Sequence, residues 1–381
     1  MAIKKCHICG SSFIKGNRVL LKNMPKAAQF MPDKKSLYKE KGITIELCQC
    51  AGCGVVQLLN KPVPYYKNVI RSVSVSDEMK KFRIKQFKKF IEKYDLKGKK
   101  IIEIGCGNGD YLEIMKMVGP RVFGIENSKD AVKNCIKKGL NVQKGFVTNE
   151  KYKIYGAPFD GFFIMNFLEH IPQAKKLLLG IANNLSENAI GLIEVPNFNM
   201  IIKQKLYTEI IRDHIFYFTK ETLTNLLRIS GFTVIECSEI MNDYIISMVV
   251  KKINQIDVFN IVYEFKKLKN EINRYILKLK KAGKKIAIWG AGHQAFTLMS
   301  VCGLTDKIEY VVDSAKFKQG KFTPVTHIPI VAPEALNENP VNAIIVIAGA
   351  YSEEVVRIIR KKYASIKEVA VFKQNKILLI K

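Results

Sequence analysis

The amino-acid sequence predicts two α/β units with parallel sheets behind a small metal-binding module, and three observations carry that expectation. Two C-x2-C pairs, Cys6-His-Ile-Cys9 and Cys50-Ala-Gly-Cys53, crowd into the start of a 381-residue chain. Glu103-Ile-Gly105-Cys-Gly107-Asn-Gly109 follows a short apolar run, and Glu126 closes the next such run. Gly290-Ala-Gly292 repeats that plan after Lys285-Ile-Ala-Ile-Trp289, with Asp313 closing the run after it. Roughly one domain per 150 residues agrees with two or three domains.

Hydrophobic residues make up 48% of the chain and charged residues 25%, which is globular rather than disordered composition. No apolar run approaches the roughly 20 residues needed to span a bilayer; Ala343 to Ala350 reads as a buried strand. Met1-Ala-Ile-Lys-Lys-Cys6 has neither the apolar segment nor the cleavage site of an export signal, so a cytoplasmic location is expected. The formal charge of +28 suits an anionic partner. Its lysines are spread along the whole chain without a concentrated arm, so an anionic small molecule is expected in preference to nucleic acid or a membrane. A monomer or a weak homo-oligomer is the expected state. Nine cysteines without an export signal are reduced thiols or metal ligands. Cys106, Cys135, Cys237 and Cys302 stand singly and read as packing residues.

Residues 1 to about 75 hold the two cysteine knuckles, each followed by glycine at Gly10 and Gly54. Cys6, Cys9, Cys50 and Cys53 supply four thiolates, a closed tetrahedral set that suits a structural zinc ion. Cys48 is an alternative to Cys50 by spacing. Extended pieces such as Ile43 to Leu47 are too short to build a large core alone. Ser76 then offers an N-cap, Asp77 and Glu78 fill a first turn, and Met79, Phe82, Phe87, Phe90, Ile91 and Tyr94 form a helical stripe ending by Gly98.

From Lys99 the pattern alternates between strand and helix. Strands are expected at Lys100 to Ile104, Arg121 to Ile125, Gly161 to Met165 and Ala189 to Val195, with helices from about Asp110 and over Ala174 to Leu185. Glycines after the first strand permit close backbone approach to a ligand at a helix N-terminus, and a carboxylate at Glu126 can accept both hydroxyls of a ribose. A basic amphipathic helix follows, with Val262, Phe265, Leu268, Ile272, Tyr275, Ile276 and Leu279 on one face and Gly283 as its stop. The last unit has strands at Lys285 to Trp289, Ile308 to Val312 and Ala343 to Ile347. By spacing alone its glycine loop reads as a dinucleotide site.

The joined series Glu103 to Gly109, Glu126 and Met165-Asn-Phe-Leu-Glu-His-Ile-Pro172 resembles class I S-adenosylmethionine-dependent methyltransferases. That resemblance implies cofactor contacts at Glu103, Gly105, Gly107, Gly109, Glu126 and Asn166, with the transferred methyl group near Asn166 to His170. Cys53-Gly-Val-Val-Gln-Leu58, Glu194-Val-Pro-Asn197, Val311 to Pro324 and Ile344 to Glu354 extend it. With them the chain resembles the three-domain nucleotide-sugar C-methyltransferases along nearly its whole length. The implied domains are a zinc-binding module over 1–75, a Rossmann-like methyltransferase domain over 76–255 and a second Rossmann-like domain over 256–381. No NAD is implied.

Members of that family methylate C3 of a 4-keto-6-deoxy sugar on a nucleotide diphosphate. A base removes the proton beside the ketone, a polar group stabilises the enolate oxygen, and the carbanion takes the methyl group. The family's catalytic stretch reads Tyr-His-Glu-His, and this chain has Ile211-Arg-Asp-His214. The match makes His214 the base, Asp213 its orienting acid at shorter reach, and His170 a helper that stabilises charge at the acceptor. Ile211 lacks a hydroxyl and Arg212 adds a cation. Two other readings are a sugar O-methyltransferase and an RNA base methyltransferase with a zinc module. The C-terminal domain and the lack of an Asn-Pro-Pro-aromatic signature at Asn166-Phe-Leu-Glu169 weigh against RNA.

Overall fold

A computed structural model describes residues 3–29, 31–68, 75–254 and 256–380. The chain divides into two compact units, Met1–Asn254 and Gln255–Lys381. The first runs through β1 (Phe13–Met24), β2 (Ile43–Cys50), β3 (Val56–Leu58), α1 (Asp77–Lys93), β4 (Lys100–Ile104), α2 (Asp110–Met117), β5 (Arg121–Glu126), α3 (Lys129–Lys137) and β6 (Val142–Lys144). It continues with β7 (Phe159–Met165), α4 (Ala174–Ala182), β8 (Leu185–Pro196), α5 (Phe198–Lys203), β9 (Phe216–Tyr217), α6 (Lys220–Arg228), β10 (Phe232–Ile240) and β11 (Ile245–Lys252).

Seven of these strands form one sheet in the order β10-β11-β8-β7-β4-β5-β6. The five from β8 to β6 are parallel, and β11 runs antiparallel to both β8 and β10. Ile101, Ile102 and Ile104 on β4 and Phe162, Phe163 and Ile164 on β7 are buried, as strands covered by helices on both faces must be. This is the Rossmann-like class I methyltransferase fold. The chain order reverses between β4 and β7, so ligands are expected beyond the C-terminal ends of those strands.

The cysteine-bearing segment does not close on itself. Its three strands are joined through β3 to β9, in a sheet ordered β1-β2-β3-β9. Ile45, Leu47 and Leu58 are buried in one cluster with Ile210 and Tyr217. That bond ties the segment to the same stretch of chain that carries His214.

Local differences from the sequence expectation have physical causes. The Ser76 hydroxyl accepts from the Met79 N–H and starts α1, which buries Phe87, Phe90 and Ile91 but leaves Phe82 outside. Arg83 takes the inner place, because its guanidinium meets the Glu194 carboxylate at 2.6 Å with both side chains fully buried. Helix α4 ends at Ala182 rather than Leu185. Asn184 there donates to the carbonyls of Gly180 and Tyr152 and accepts from the Ile154 N–H, and Leu185 begins β8.

The second unit contains α7 (Asn260–Lys281), β12 (Ile286–Trp289), α8 (His293–Cys302), β13 (Tyr310–Val312), β14 (Ile330–Val331), α9 (Ala335–Glu338), β15 (Ala343–Val346), α10 (Ser352–Lys362), β16 (Glu368–Lys373) and β17 (Lys376–Ile380). Its sheet is ordered β14-β13-β12-β15-β16-β17, parallel except for β17. Helix α7 buries Leu268, Ile272, Ile276 and Leu279, whereas Val262 and Phe265 of the expected stripe are exposed. Among the described residues no helix is long and apolar enough to cross a membrane.

Candidate active site

At the end of β4 the chain turns through Gly105, Gly107 and Gly109 with φ of 71°, 53° and 81°. A side chain on any of them would be strained there. The three glycines also differ in what surrounds them. A Cβ on Gly105 would come within 2.9 Å of the Phe167 ring, and one on Gly109 within 2.5 Å of Leu140. Gly107 has nothing within 4 Å on that side, so its backbone faces open space.

Glu126 at the end of β5 accepts from the Gly107 N–H at 3.0 Å and the Ser128 N–H at 2.7 Å. Burial raises its pKa against these donors and the Asn127 N–H. Asn166, beyond β7, holds φ of 50° and has a buried Oδ1 with no hydrogen-bond partner among the described residues. Its own N–H donates to the Glu194 carbonyl. Glu103 lies buried at the end of β4, directly before the loop.

The two predicted histidines come together. His170 follows β7 in a short helical turn, His214 precedes β9, and their ring centroids are 4.7 Å apart. Burial lowers the pKa of His170 to about 4 and that of His214 to about 3, so both imidazoles are neutral near pH 7. His170 Nδ1 lies 2.9 Å from the Asp213 carbonyl. A carbonyl only accepts, so Nδ1 carries the proton and Nε2 keeps a lone pair. A neutral ring in that tautomer is poorly suited to stabilising negative charge, the part expected of it.

Asp213 also differs from expectation. Its carboxylate accepts from the Tyr65 hydroxyl at 2.6 Å and the Ala28 N–H at 2.9 Å, and so is committed away from His214. It orients His170 instead, through its backbone. Arg212 donates to the carbonyls of Lys26 and Lys61. The Tyr217 hydroxyl bridges the N–H and carbonyl of Ile211.

Tyr65, Arg83, Gln86 and Ser247 escaped the sequence reading. Tyr65 reaches Asp213 across 148 residues of chain, and the buried pair of Arg83 with Glu194 spans 111. Gln86 and Ser247 complete that second network on the Glu194 carboxylate. Glu169 is fully enclosed beside the histidines. Glu169 and Glu194 stand in strings that the sequence reading had quoted.

In the cysteine-bearing sheet the sulfurs of Cys6, Cys9, Cys50 and Cys53 all lie within 4.8 Å of one another. The Cys6–Cys53 and Cys9–Cys50 separations are 3.7 and 3.4 Å, near the edge length that a tetrahedron with Zn–S bonds of roughly 2.3 Å requires. N–H groups of Ile8 and Gly52 point at the Cys6 and Cys50 sulfurs. Cys48 is outside this group, its thiol donating to the Asn17 carbonyl at 2.9 Å.

Residues 78–237 match a family model described as methyltransferase domain, and residues 248–369 match one described as C-methyltransferase C-terminal domain. The C-methyltransferase NovU of Streptomyces niveus is 22% identical over 93% of this chain and 91% of its own length. The ubiquinone biosynthesis O-methyltransferase of Thiobacillus denitrificans is 34% identical, over 23% of this chain and 40% of that protein. An S-adenosylmethionine-dependent methyltransferase structure from Clostridium acetobutylicum aligns with a TM-score of 0.38 and 12% identity, over 50% of this chain and 96% of that one.

Proposed function

We propose that this chain, an S-adenosylmethionine-dependent C-methyltransferase, methylates the carbon beside a ketone in a deoxy or keto sugar carried on a nucleotide diphosphate, through an enolate. The observation that carries the reading is the close pair of neutral imidazoles, buried His170 and half-buried His214. Removing a proton beside a ketone needs a base that is itself free of a proton near pH 7, and burial achieves that. His214 is the base by its place at the end of Ile211-Arg-Asp-His214, the stretch that matches the family's catalytic string. Burial makes the imidazolium costly, and the enolate forming beside it offsets that cost.

Bound S-adenosylmethionine supplies an electrophilic methyl group. Three features support its contacts: the open face of Gly107, the Oδ1 of Asn166 without a partner among the described residues, and a carboxylate at Glu126 with lone pairs left for ribose hydroxyls. Gly105 and Gly109 keep the loop's path, and Glu103 closes it from the strand side. Ile215, Phe216 and Phe218, which follow the base in the chain, are buried. The charge of +28 favours an anionic sugar nucleotide.

In the same reading residues 1–75 form a zinc-binding module, 76–255 the catalytic domain and 256–381 a second Rossmann-like domain. Elemental analysis should find about one zinc per chain. Cys50→Ser should lose it and Cys48→Ser keep it.

Proton exchange tests the central step. With a nucleotide-linked 4-keto-6-deoxy sugar in deuterated solvent, the C3 proton should exchange and the methyl group should arrive at that carbon. His214→Ala should abolish both while leaving cofactor affinity intact, because the base is not part of the cofactor loop. Methylation by that variant near the wild-type rate would place the base elsewhere. A methyl group on oxygen without carbon exchange would favour the O-methyltransferase reading.

A further inference from the structure

Glu169 is a buried acid of this site that the mechanism leaves idle. Its residue is 2% exposed, and Oε2 has no hydrogen-bond partner among the described residues. Oε1 lies 3.8 Å from Nε2 of His170, beyond hydrogen-bond range. Ligand-capable atoms of Glu169, His170 and His214 all fall within 4.8 Å of one another, so the carboxyl group looks onto the same small space as the base.

The charged and titratable groups around it are engaged elsewhere. The Asp213 carboxylate faces Tyr65 and Ala28, Glu209 accepts from the Tyr244 hydroxyl, and Tyr217 is held on Ile211. Glu194 pairs with Arg83, and the Arg212 guanidinium is turned to two backbone carbonyls. Among the described residues no cation forms an ion pair with Glu169 apart from its contact with the neutral His170. Burial therefore raises its pKa to about 8, opposed only by its own backbone N–H.

An enolate is stabilised by a hydrogen-bond donor at its oxygen, and neither imidazole suits that part. His170 spends its Nδ1 proton on Asp213, and His214 must be free to accept. A carboxyl group kept neutral by an apolar site is a known kind of donor for a developing oxyanion. We propose that Glu169 is held as the neutral acid and donates a hydrogen bond to the acceptor's oxygen as that oxygen takes up negative charge. This rests on the enolate reading of the same site. The carbon proton goes to His214, the electron pair it leaves is delocalised onto the ketone oxygen, and Glu169 keeps its own proton throughout.

Two measurements on the full-length protein test it. In infrared difference spectra of wild type against Glu169→Gln at pH 7, a protonated-carboxyl band belonging to Glu169 is expected, and finding only an ionised carboxylate overturns the proposal. With S-adenosylmethionine and a nucleotide-linked 4-keto-6-deoxy sugar, wild-type turnover should fall as pH rises through about 8, where the acid ionises. Glu169→Gln keeps an N–H donor and should turn over without that alkaline fall. Glu169→Leu should lose about a hundredfold in turnover with unchanged affinity for the demethylated cofactor. If the leucine variant does not fold, the glutamine pH profile and the infrared band still decide. Wild-type turnover by the leucine variant, or a divalent cation whose binding is lost in both Glu169→Gln and His214→Ala, overturns it. Absence of carbon exchange in the wild type removes the enolate reading and this role together, whereas an ionised Glu169 alongside normal exchange removes only this role.

Discussion

At the end of β4, Gly107 faces open space and Glu126 anchors the loop with no ion pair among the described residues; at the end of β12, Gly290 is packed against backbone and Asp313 is paired with Lys318. The two loops share a plan of strand, glycines, helix, strand and acid. Their surroundings differ. Gly290 has φ of 116°, and a Cβ there would sit 2.3 Å from the Ile347 carbonyl oxygen. Asp313 accepts from the N–H groups of Ala291 and Ala315 and from the Lys318 ammonium, all at 2.8 to 2.9 Å. Burial pushes its pKa up, but these donors together win and hold it below the usual carboxylate value. Burial of Glu126 has the opposite net result. One acid is satisfied by its own unit, and the other retains a reason to bind hydroxyl donors. Spacing reports the backbone turn that both loops need, and ligand capacity depends on what fills the acceptors afterwards.

The largest expected effect comes from putting a methyl group on each loop. Gly290→Ala should destabilise the second unit by about 3 kcal/mol or more, through the collision with Ile347 and the strained φ. Gly107→Ala meets no atom and should cost only about 1 kcal/mol of stability for its left-handed backbone. Its penalty should appear in cofactor affinity instead. Thermal unfolding and calorimetry on the two variants separate these outcomes, and equal loss of stability in both would erase the distinction between an open and a packed glycine.

A smaller contrast concerns the acids. Glu126→Ala should weaken binding of S-adenosylmethionine and its demethylated product by roughly 1.5 to 3 kcal/mol, the worth of charge-assisted hydrogen bonds. Asp313→Ala should leave that affinity unchanged. NAD should give no heat of binding with wild type or either variant. Measurable NAD binding that disappears with Asp313 would mean that the second loop is a working site despite Lys318.

Sequence carried both loops, both acids and the four clustered cysteines, because each depends on local backbone geometry that glycine, carboxylate and C-x2-C spacing declare. His170 and His214 were legible as candidate site residues through the strings Leu168-Glu-His170 and Asp213-His214. Their environment was not. The depressed pKa of both rings comes from burial by elements far along the chain, and Asp213 is claimed by Tyr65 and Ala28 from the first 65 residues. Arg83 stands among apolar neighbours of α1 and looks like a solvent-facing cation until Glu194 is brought to it. Likewise nothing local in Phe216-Tyr217 says that it completes a sheet begun at Phe13. Long-range pairing of this kind leaves no period in the sequence.

The smallest expected effect tests whether the Lys318 ion pair alone closes the second loop. Lys318→Met removes the ammonium 2.9 Å from Asp313 Oδ2, and both side chains are only partly exposed, at 29% and 12%. A pair this close to solvent contributes about 0 to 1 kcal/mol, so the unfolding transition should move little. Nucleotide affinity should not appear either. Asp313 would still accept from Ala291 and Ala315, and Gly290 would still lie against Ile347, so the removal frees a lone pair without making room for a ligand. Titration of NAD and of adenosine into the variant checks this directly. Gain of binding by Lys318→Met would show that the two loops differ by one salt bridge and not by their packing, and the comparison would then rest on charge alone.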